Sequence, residues 1–579
     1  MLLSDNEIIT YTLSMDKPSS HLFEVKMDIE GINENYVDLI LPVWRPGRYF
    51  VFDFPSGVVE FKAEDDRSSP LKWKKIDKCT WRIETRSITK LTVIYKLYAN
   101  EFDQRTRGLD EQHGFVNGTA VFMYCEKLRQ LPLTLKVIPY KDWHVTTGLD
   151  DFSDEPNTYT APDYDHLADC PLEIGSQKDH QFDLDGKKYI ISFFGKADYN
   201  IDTLISAMSK VIKTETDFWG KIPFDKYVFI IHCGTRGGGG TEHINSTVLD
   251  ITPKAFESAD SFRGYLGLVA HEFFHTWNVK QIRPLGLTPY NYTKENYVEE
   301  LWFAEGGTSY YDELMVLRSG QAEAVDFFKE IARSAEEERR RPGNRMQSLA
   351  ESSFDAWVKF WKGTPQKFKM ESDYYGKGAD ISLILDLEIR QQTNNNFCLD
   401  DILRTMYDRF PPGKGYTNKD IINICGELTG SSYKQFFDDY VYGTKAIEWE
   451  KYLSYAGLEL ITVDSTSVPV MGLELQQSDG KILVSNVITG SAADISKFVS
   501  GDEIITADGD RVNYEDLNNR LQRMKIGEKI NLGIFRKDKY IEIKLSLNEP
   551  KVPNYVVSKT STPDDLQKNI YEDWLKVKW

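Results

Sequence analysis

The sequence has no CxxC pair, no run of eighteen apolar residues and no excess of positive charge, and each absence removes a class of protein. Six cysteines (Cys79, Cys125, Cys170, Cys233, Cys398, Cys425) are scattered through 579 residues. A small disulfide-stapled fold needs them dense and paired, so reduced thiols are expected here. Without a long apolar run, no membrane-spanning helix is expected. The opening MLLSDNEIITYTLSMD has no basic stretch leading into an apolar one, so it does not read as a signal peptide. A cytoplasmic location is the expectation, with the periplasm as the alternative for a chain trimmed of its signal. The formal net charge of -19 argues against nucleic acid as a partner, because phosphate contacts need clustered Lys and Arg. An acidic cleft that attracts amines is compatible with that charge.

What remains is an ordinary globular composition, 41% hydrophobic and 27% charged. The length exceeds what one hydrophobic core serves, so three or four domains are expected. Up to about residue 180, short β-type runs such as Phe23-Glu24-Val25-Lys26-Met27 and Leu91-Thr92-Val93-Ile94-Tyr95 alternate with turn clusters such as Arg45-Pro46-Gly47 and Asn117-Gly118. Tyr227 to Ile231 reads as a buried strand, followed by a glycine-rich turn and a β-type run from Ile244 to Ile251. From about 258 to 450 the spacing becomes helical, as in Asp326 to Ile331 and Ile381 to Ile389, punctuated by Pro342-Gly343 and Pro411-Pro412-Gly413. Short strands return after about 460. The last thirty residues end in a short helix that Thr562 could cap, with Pro563 at its first position.

His271-Glu272-Phe273-Phe274-His275 carries the chemistry. It follows the apolar run Tyr265 to Ala270 and so belongs on a buried helix, where residues four apart share a face and two imidazoles can reach one cation. Zinc suits such ligands and leaves a position for water in catalytic sites. Glu272 points elsewhere and can take a proton from that water. The bland alternative is a buried helix with two incidental histidines. A third ligand must come from Glu299, Glu300 or Glu305. Glu305 is favoured because it opens a second helical run, Leu301 to Thr308, after a 29-residue return, whereas Glu299 and Glu300 precede a Trp-Phe pair and read as surface carboxylates. Thr308, Ser309 and Asp312 share the helical face of Glu305 and could supply supporting hydrogen bonds.

Two further segments have competing readings. Gly237-Gly238-Gly239-Gly240-Thr241-Glu242-His243 is no phosphate loop, since no GK[ST] follows. It bends either into an edge strand that pairs with extended peptide, with Glu242 reading a terminal ammonium, or into a mobile turn with Glu242 solvated. Tyr374-Tyr375-Gly376-Lys377-Gly378 precedes a helix and could bring a hydroxyl to an oxyanion, although one of 31 tyrosines can equally be ordinary.

Taken together, Trp44-Arg45-Pro46-Gly47-Arg48-Tyr49, Asp165 to Pro171, Gly239-Gly240-Thr241-Glu242-His243, HEFFHTWNVKQIRP from His271, Glu305-Gly306 and Tyr375-Gly376-Lys377-Gly378 resemble the glycyl aminopeptidases, PDZ-containing zinc metallopeptidases of the gluzincin clan. The resemblance spans essentially the whole chain. It implies one zinc ion on His271, His275 and Glu305, Glu272 as general base, Tyr375 on the oxyanion, and Gly239, Gly240, Glu242 and His243 as substrate-binding residues. It also implies release of amino-terminal Gly or Ala from peptides with a free N-terminus. Thr241, Ile244 and Gly307 depart from the family's pattern and bear on the shape of the specificity pocket.

The implied fold is multidomain α+β. An N-terminal antiparallel β domain is expected at 1–180, and a thermolysin-like zinc peptidase domain with a helical half at 181–455. A PDZ-like domain follows at 460–548, then a tail with a short helix at 549–579. Gly472-Leu473-Glu474-Leu475 would be the loop through which the PDZ groove takes a peptide C-terminus, the alternative being a module that only packs. Two other functions compete with the aminopeptidase: a zinc endopeptidase or peptide-trimming enzyme with an open cleft, and a PDZ-based scaffold with an inactive zincin.

Overall fold

The computed structural model describes residues 8–152, 155–235, 237–363, 367–463, 469–548 and 553–579. They fall into two compact bodies. The first holds the described residues up to Val298 together with Tyr311–Ala322 and Leu403–Thr417; the second holds Glu299–Tyr310, Glu323–Ile402 and Asn418–Trp579.

In the first body, alternating apolar residues build a seven-stranded sheet. Leu22–Glu30 pairs antiparallel with Ile8–Ser14 and with Lys90–Tyr98, burying Phe23, Val25, Met27 and Ile29 on one face. One pair departs from the antiparallel expectation: Ile8–Ser14 runs parallel to Leu133–Ile138. A separate five-stranded sheet runs in the order Lys178–Leu184, Lys187–Gly195, Lys226–Cys233, Ser246–Ile251, Gly240–Glu242. Its three inner strands are parallel. Such strands are covered on both faces and read as continuous apolar runs, which is why Tyr227 to Ile231 is wholly buried. The last strand, Gly240–Glu242, is antiparallel and lies at the edge.

Two helices belong with this sheet. Ile201–Trp219, capped by the Asn200 side chain on the Thr203 amide, buries Leu204, Met208, Val211 and Ile212 at helical spacing. Ala259–Phe274 starts at Ser258, whose hydroxyl accepts from the Ser261 amide, and it carries the HExxH residues to its C-terminal end.

The second body is helical up to Ser454 and then turns to strands. Ala324–Arg340 and Gly376–Gln392 are its long helices, the latter buried on nearly every side. A small barrel-like sheet runs Leu473–Ser478, Lys481–Val487, Glu503–Ala507, Lys529–Arg536, Lys539–Ser546 around its own core of Ile482, Val484, Ile504, Leu517, Ile530 and Leu532. Strands Leu458–Val463 and Asn554–Lys559 flank this module and pair with each other. The terminal helix is Asp565–Leu575, and its cap is Asp564 rather than Thr562. Asp564 accepts from the Gln567 amide while Gln567 reaches back to the Asp564 amide, a reciprocal box that Thr562 is too far upstream to make.

Candidate metal centre

The HExxH helix presents its two imidazoles to each other. His271 Nε2 and His275 Nε2 lie 3.1 Å apart. His275 Nδ1 is 2.7 Å from the Asn278 carbonyl, which can only accept, so that nitrogen carries the proton. His271 Nδ1 faces the Asp312 carboxylate at 3.0 Å and is fixed the same way. Both Nε2 atoms therefore face one point, an arrangement that suits a shared cation. With metal–nitrogen bonds of about 2.05 Å, the 3.1 Å separation subtends about 100° at the ion, close to tetrahedral. Glu305 sits at the break between helices Leu301–Ala304 and Gly306–Arg318. It completes the group: one ligand atom each from His271, His275 and Glu305 all lie within 4.8 Å of one another. These residues fit a zinc-type ion.

The other two carboxylates weighed as ligands lie elsewhere. Glu300 is not a surface carboxylate: it is buried and accepts from the backbone amides of Glu299 and Asn418. Thr308 bonds back to the Ala304 carbonyl, while Asp312 is the residue of that face that reaches an imidazole.

Glu272 is buried beside the edge strand. A Cβ on Gly240 would stand 2.5 Å from its carboxyl carbon, so only glycine lets the strand lie over this side chain. Two residues along, Glu242 is 4% exposed and its Oε1 has no hydrogen-bond partner among the described residues. The loop Trp44 to Tyr49 supplies its floor. Gly47, at φ +86°, would place a Cβ 2.3 Å from both Glu242 oxygens. Arg45 donates to the Thr241 hydroxyl at 3.2 Å and to the Glu242 carbonyl at 3.3 Å, fixing the edge strand from behind. Lys280 Nζ donates to Asp169 Oδ1 at 2.9 Å, and His243 Nδ1 donates to the same oxygen at 3.1 Å.

This buried charge network sets the protonation states. Burial pushes the Glu242 carboxyl up, but the Lys280 and Arg45 charges hold it below the usual glutamate value, so it stays ionised. Burial drives the His243 imidazole down to about 4 despite Asp169, so it is neutral. Lys280 keeps its charge: burial lowers it, and Asp169, Tyr290 and Glu242 together more than offset the loss.

Tyr375 stands at the entry to helix Gly376–Gln392, stacked on Tyr374 at 4.8 Å, with its amide on Asp373 Oδ1. The motif is seated directly on the segment that carries Glu305. A Cβ on Gly306 would meet the Tyr374 carbonyl and the Gly378 Cα, each at 2.5 Å.

Arg45, Asp169 and Lys280 had no chemical role in the sequence. They occur within quoted motifs, but nothing in the spacing shows that charged residues so far apart in sequence share one buried network.

In the small C-terminal module, strand Leu473–Ser478 and helix Tyr514–Gln522 border a cavity of about 1200 Å³. Helix Ala324–Arg340 walls it on the other side, with Arg340 3.7 Å from Glu474.

A parallel-sheet core, an edge strand and a buried HExxH helix of this geometry define an enzyme, a metallopeptidase of the zinc class. Residues 10–176 match the family model of the peptidase M61 N-terminal domain, residues 264–381 that of M61 glycyl aminopeptidase, and residues 469–547 that of the PDZ domain. An aminopeptidase N family protein from Idiomarina loihiensis is 29% identical, with 98% of this chain and 100% of that chain covered at a TM-score of 0.92. A more distant likeness is to an M1 zinc metallopeptidase from Deinococcus radiodurans in complex with a Tyr-Ser-Ala substrate. That protein is 14% identical, with 76% of this chain and 94% of that chain covered at a TM-score of 0.49. No curated protein matches. The chain is thus similar to the M61 peptidases over its N-terminal and central parts and to PDZ domains over 469–547, and it is an aminopeptidase of the zinc class.

Proposed function

We propose that this aminopeptidase removes a small amino-terminal residue, Gly or Ala, from peptides, with one zinc ion held by His271, His275 and Glu305. The observation that carries the reading is Glu242, a buried, ionised carboxylate with an oxygen that no group among the described residues satisfies. Such a group is costly to keep unless a ligand completes it, and a terminal ammonium does so by charge and by hydrogen bond. When bound, the zinc ion polarises the scissile carbonyl and lowers the pKa of a coordinated water.

The chain's own residues do the rest. Glu242 fixes the substrate's first residue, while the amides and carbonyls of edge strand Gly240–Glu242 pair with the extended peptide behind it. Glu272, lying under Gly240, takes a proton from water and delivers it to the leaving amine. Tyr375 donates to the developing oxyanion. Gly239 and Gly240 keep the strand free of side chains where the substrate passes, and neutral His243 with Asp169 backs the strand. The departures at Thr241, Ile244 and Gly307 shape the pocket for the first side chain. The PDZ groove is the place for a peptide C-terminus.

The test compares a free Gly- or Ala-peptide with its N-acetylated form. Cleavage is expected only with the free amine. Equal turnover of the blocked peptide would establish an open-ended cleft and an endopeptidase instead.

A further inference from the structure

A second group of metal-type ligands lies in the first body and shares no residue with the HExxH group. His113 opens strand His113–Val116, Glu173 lies on Leu172–Gly175 beside it, and His232 is near the end of Lys226–Cys233. Each offers one ligand atom, all within 4.8 Å of one another.

The cluster is sealed and incompletely satisfied. Glu173 is fully buried and His113 is 7% exposed. Among the described residues, Glu173 Oε1 and His113 Nδ1 both lack a hydrogen-bond partner, which leaves two buried polar atoms unsatisfied. His113 Nδ1 lies 3.7 Å from Asp110 Oδ1. His232 Nδ1 lies 3.4 Å from Asp250 Oδ1, and its Nε2 is turned to Glu173 Oε2 at 2.7 Å. A carboxylate on one ring nitrogen with the other aimed into a ligand cluster is how metal-binding imidazoles are oriented. It is also how Asp312 holds His271. Packing fixes the rings: His113 lies on Phe194 at 3.7 Å and meets His232 edge-on at 5.9 Å.

We propose that His113, Glu173 and His232 form a second divalent-cation site, oriented by Asp250 and Asp110, whose ion braces strands rather than cleaving peptides. Two imidazoles and a carboxylate select zinc or a neighbouring first-row ion over calcium or magnesium, which take all-oxygen ligands. Such an ion satisfies the two orphaned atoms and balances three carboxylates. It also ties strands His113–Val116 and Leu172–Gly175 to the sheet that bears the glycine loop. Asp250 lies on the strand against which that loop is laid: the Gly238 amide donates to the Asp250 carbonyl at 2.8 Å, and the Asp250 amide to the Gly239 carbonyl at 3.0 Å. The competing account puts a proton where the ion would be. Burial pushes the His232 imidazolium down, but Glu173 and Asp250 outweigh it and hold it up to about 10.

The experiment is zinc content of the full-length protein, by plasma mass spectrometry after equilibration with micromolar zinc and gel filtration. Wild type is expected to hold about two equivalents per chain, and His271→Asn/His275→Asn about one. Adding His113→Asn or His232→Asn to that pair lowers the content to near zero, while His113→Asn alone keeps peptidase activity with about one equivalent. To separate a lost site from a lost fold, the His271→Asn/His275→Asn protein is also melted with and without zinc. A rise in Tm with zinc but not with magnesium supports the site. One equivalent in wild type, or none and no Tm rise in the His271→Asn/His275→Asn protein, overturns it in favour of the proton-filled triad.

Discussion

Gly306 and Gly378 touch backbone to backbone: a Cβ built on Gly378 would lie 3.0 Å from the Gly306 Cα and 2.6 Å from the Trp302 carbonyl. The segment of Glu305 and the helix of Tyr375 thus share one junction with no room for a methyl group. Gly378→Ala is expected to cost about 1–3 kcal/mol of stability and to lower kcat more than tenfold, read by thermal melts and steady-state kinetics. Gly264→Ala is the control. It lies inside the HExxH helix with nothing within 4 Å of the added Cβ, and it should gain about 0.5–1 kcal/mol. Equal melting losses at both positions would remove the junction from the account.

Glu272→Gln keeps the shape beneath Gly240 but cannot accept a proton. It should retain zinc by metal analysis and lose about 10²–10⁴-fold in kcat. A fully metallated and fully active variant would refute the base assignment.

Glu242→Gln removes the charge that meets the substrate ammonium. A charge-assisted hydrogen bond of about 1.5–3 kcal/mol corresponds to about a 10–150-fold loss in kcat/KM on free-amine peptides. The penalty should appear chiefly in KM, and zinc content should stay unchanged.

Asp312 orients His271 through Nδ1 without itself belonging to the ligand group. Asp312→Asn should weaken zinc about 10–100-fold in a chelator competition. An unchanged affinity would mean that the helix alone sets the ring.

Acid should destabilise the protein through His243. Its folded value, about 4, lies below the unfolded value of about 6.5. As pH falls from 6.5 to 4 the unfolded chain takes up a proton that the folded chain refuses, so stability is lost across that window. The 2.5-unit gap is worth about 3 kcal/mol by linkage. His243→Gln should flatten that part of the stability curve against pH relative to wild type, as measured by denaturant melts.

The parts of the site that are local in sequence were readable there. HExxH works because four residues make about one helical turn, and the Gly237–Gly240 run suited either a bend into an edge strand or a mobile turn, of which the structure has the edge strand Gly240–Glu242. Asp312 could be read from its spacing to Glu305. What could not be read was non-local. Arg45 meets Thr241 across 196 residues, and Lys280 meets Asp169 across 111. Composition makes charged residues look like surface, and only the fold shows these sealed and paired. The histidine, glutamate and histidine of the second cluster come from three strands for the same reason. The terminal helix was expected, but its role was not: Trp574 is fully buried and its indole donates to Tyr310 at 2.8 Å.

Strands Leu458–Val463 and Asn554–Lys559 are antiparallel neighbours, with Val463 opposite Asn554. The PDZ domain is therefore an excursion whose exit and re-entry points are one strand spacing apart. Cutting the chain short at Val463 would delete the return strand and the Trp574 helix along with the module. Joining Val463 to Asn554 through a brief turn would instead loop the module out and leave the ladder closed, so only that shortened chain can show what peptide hydrolysis owes to the PDZ domain.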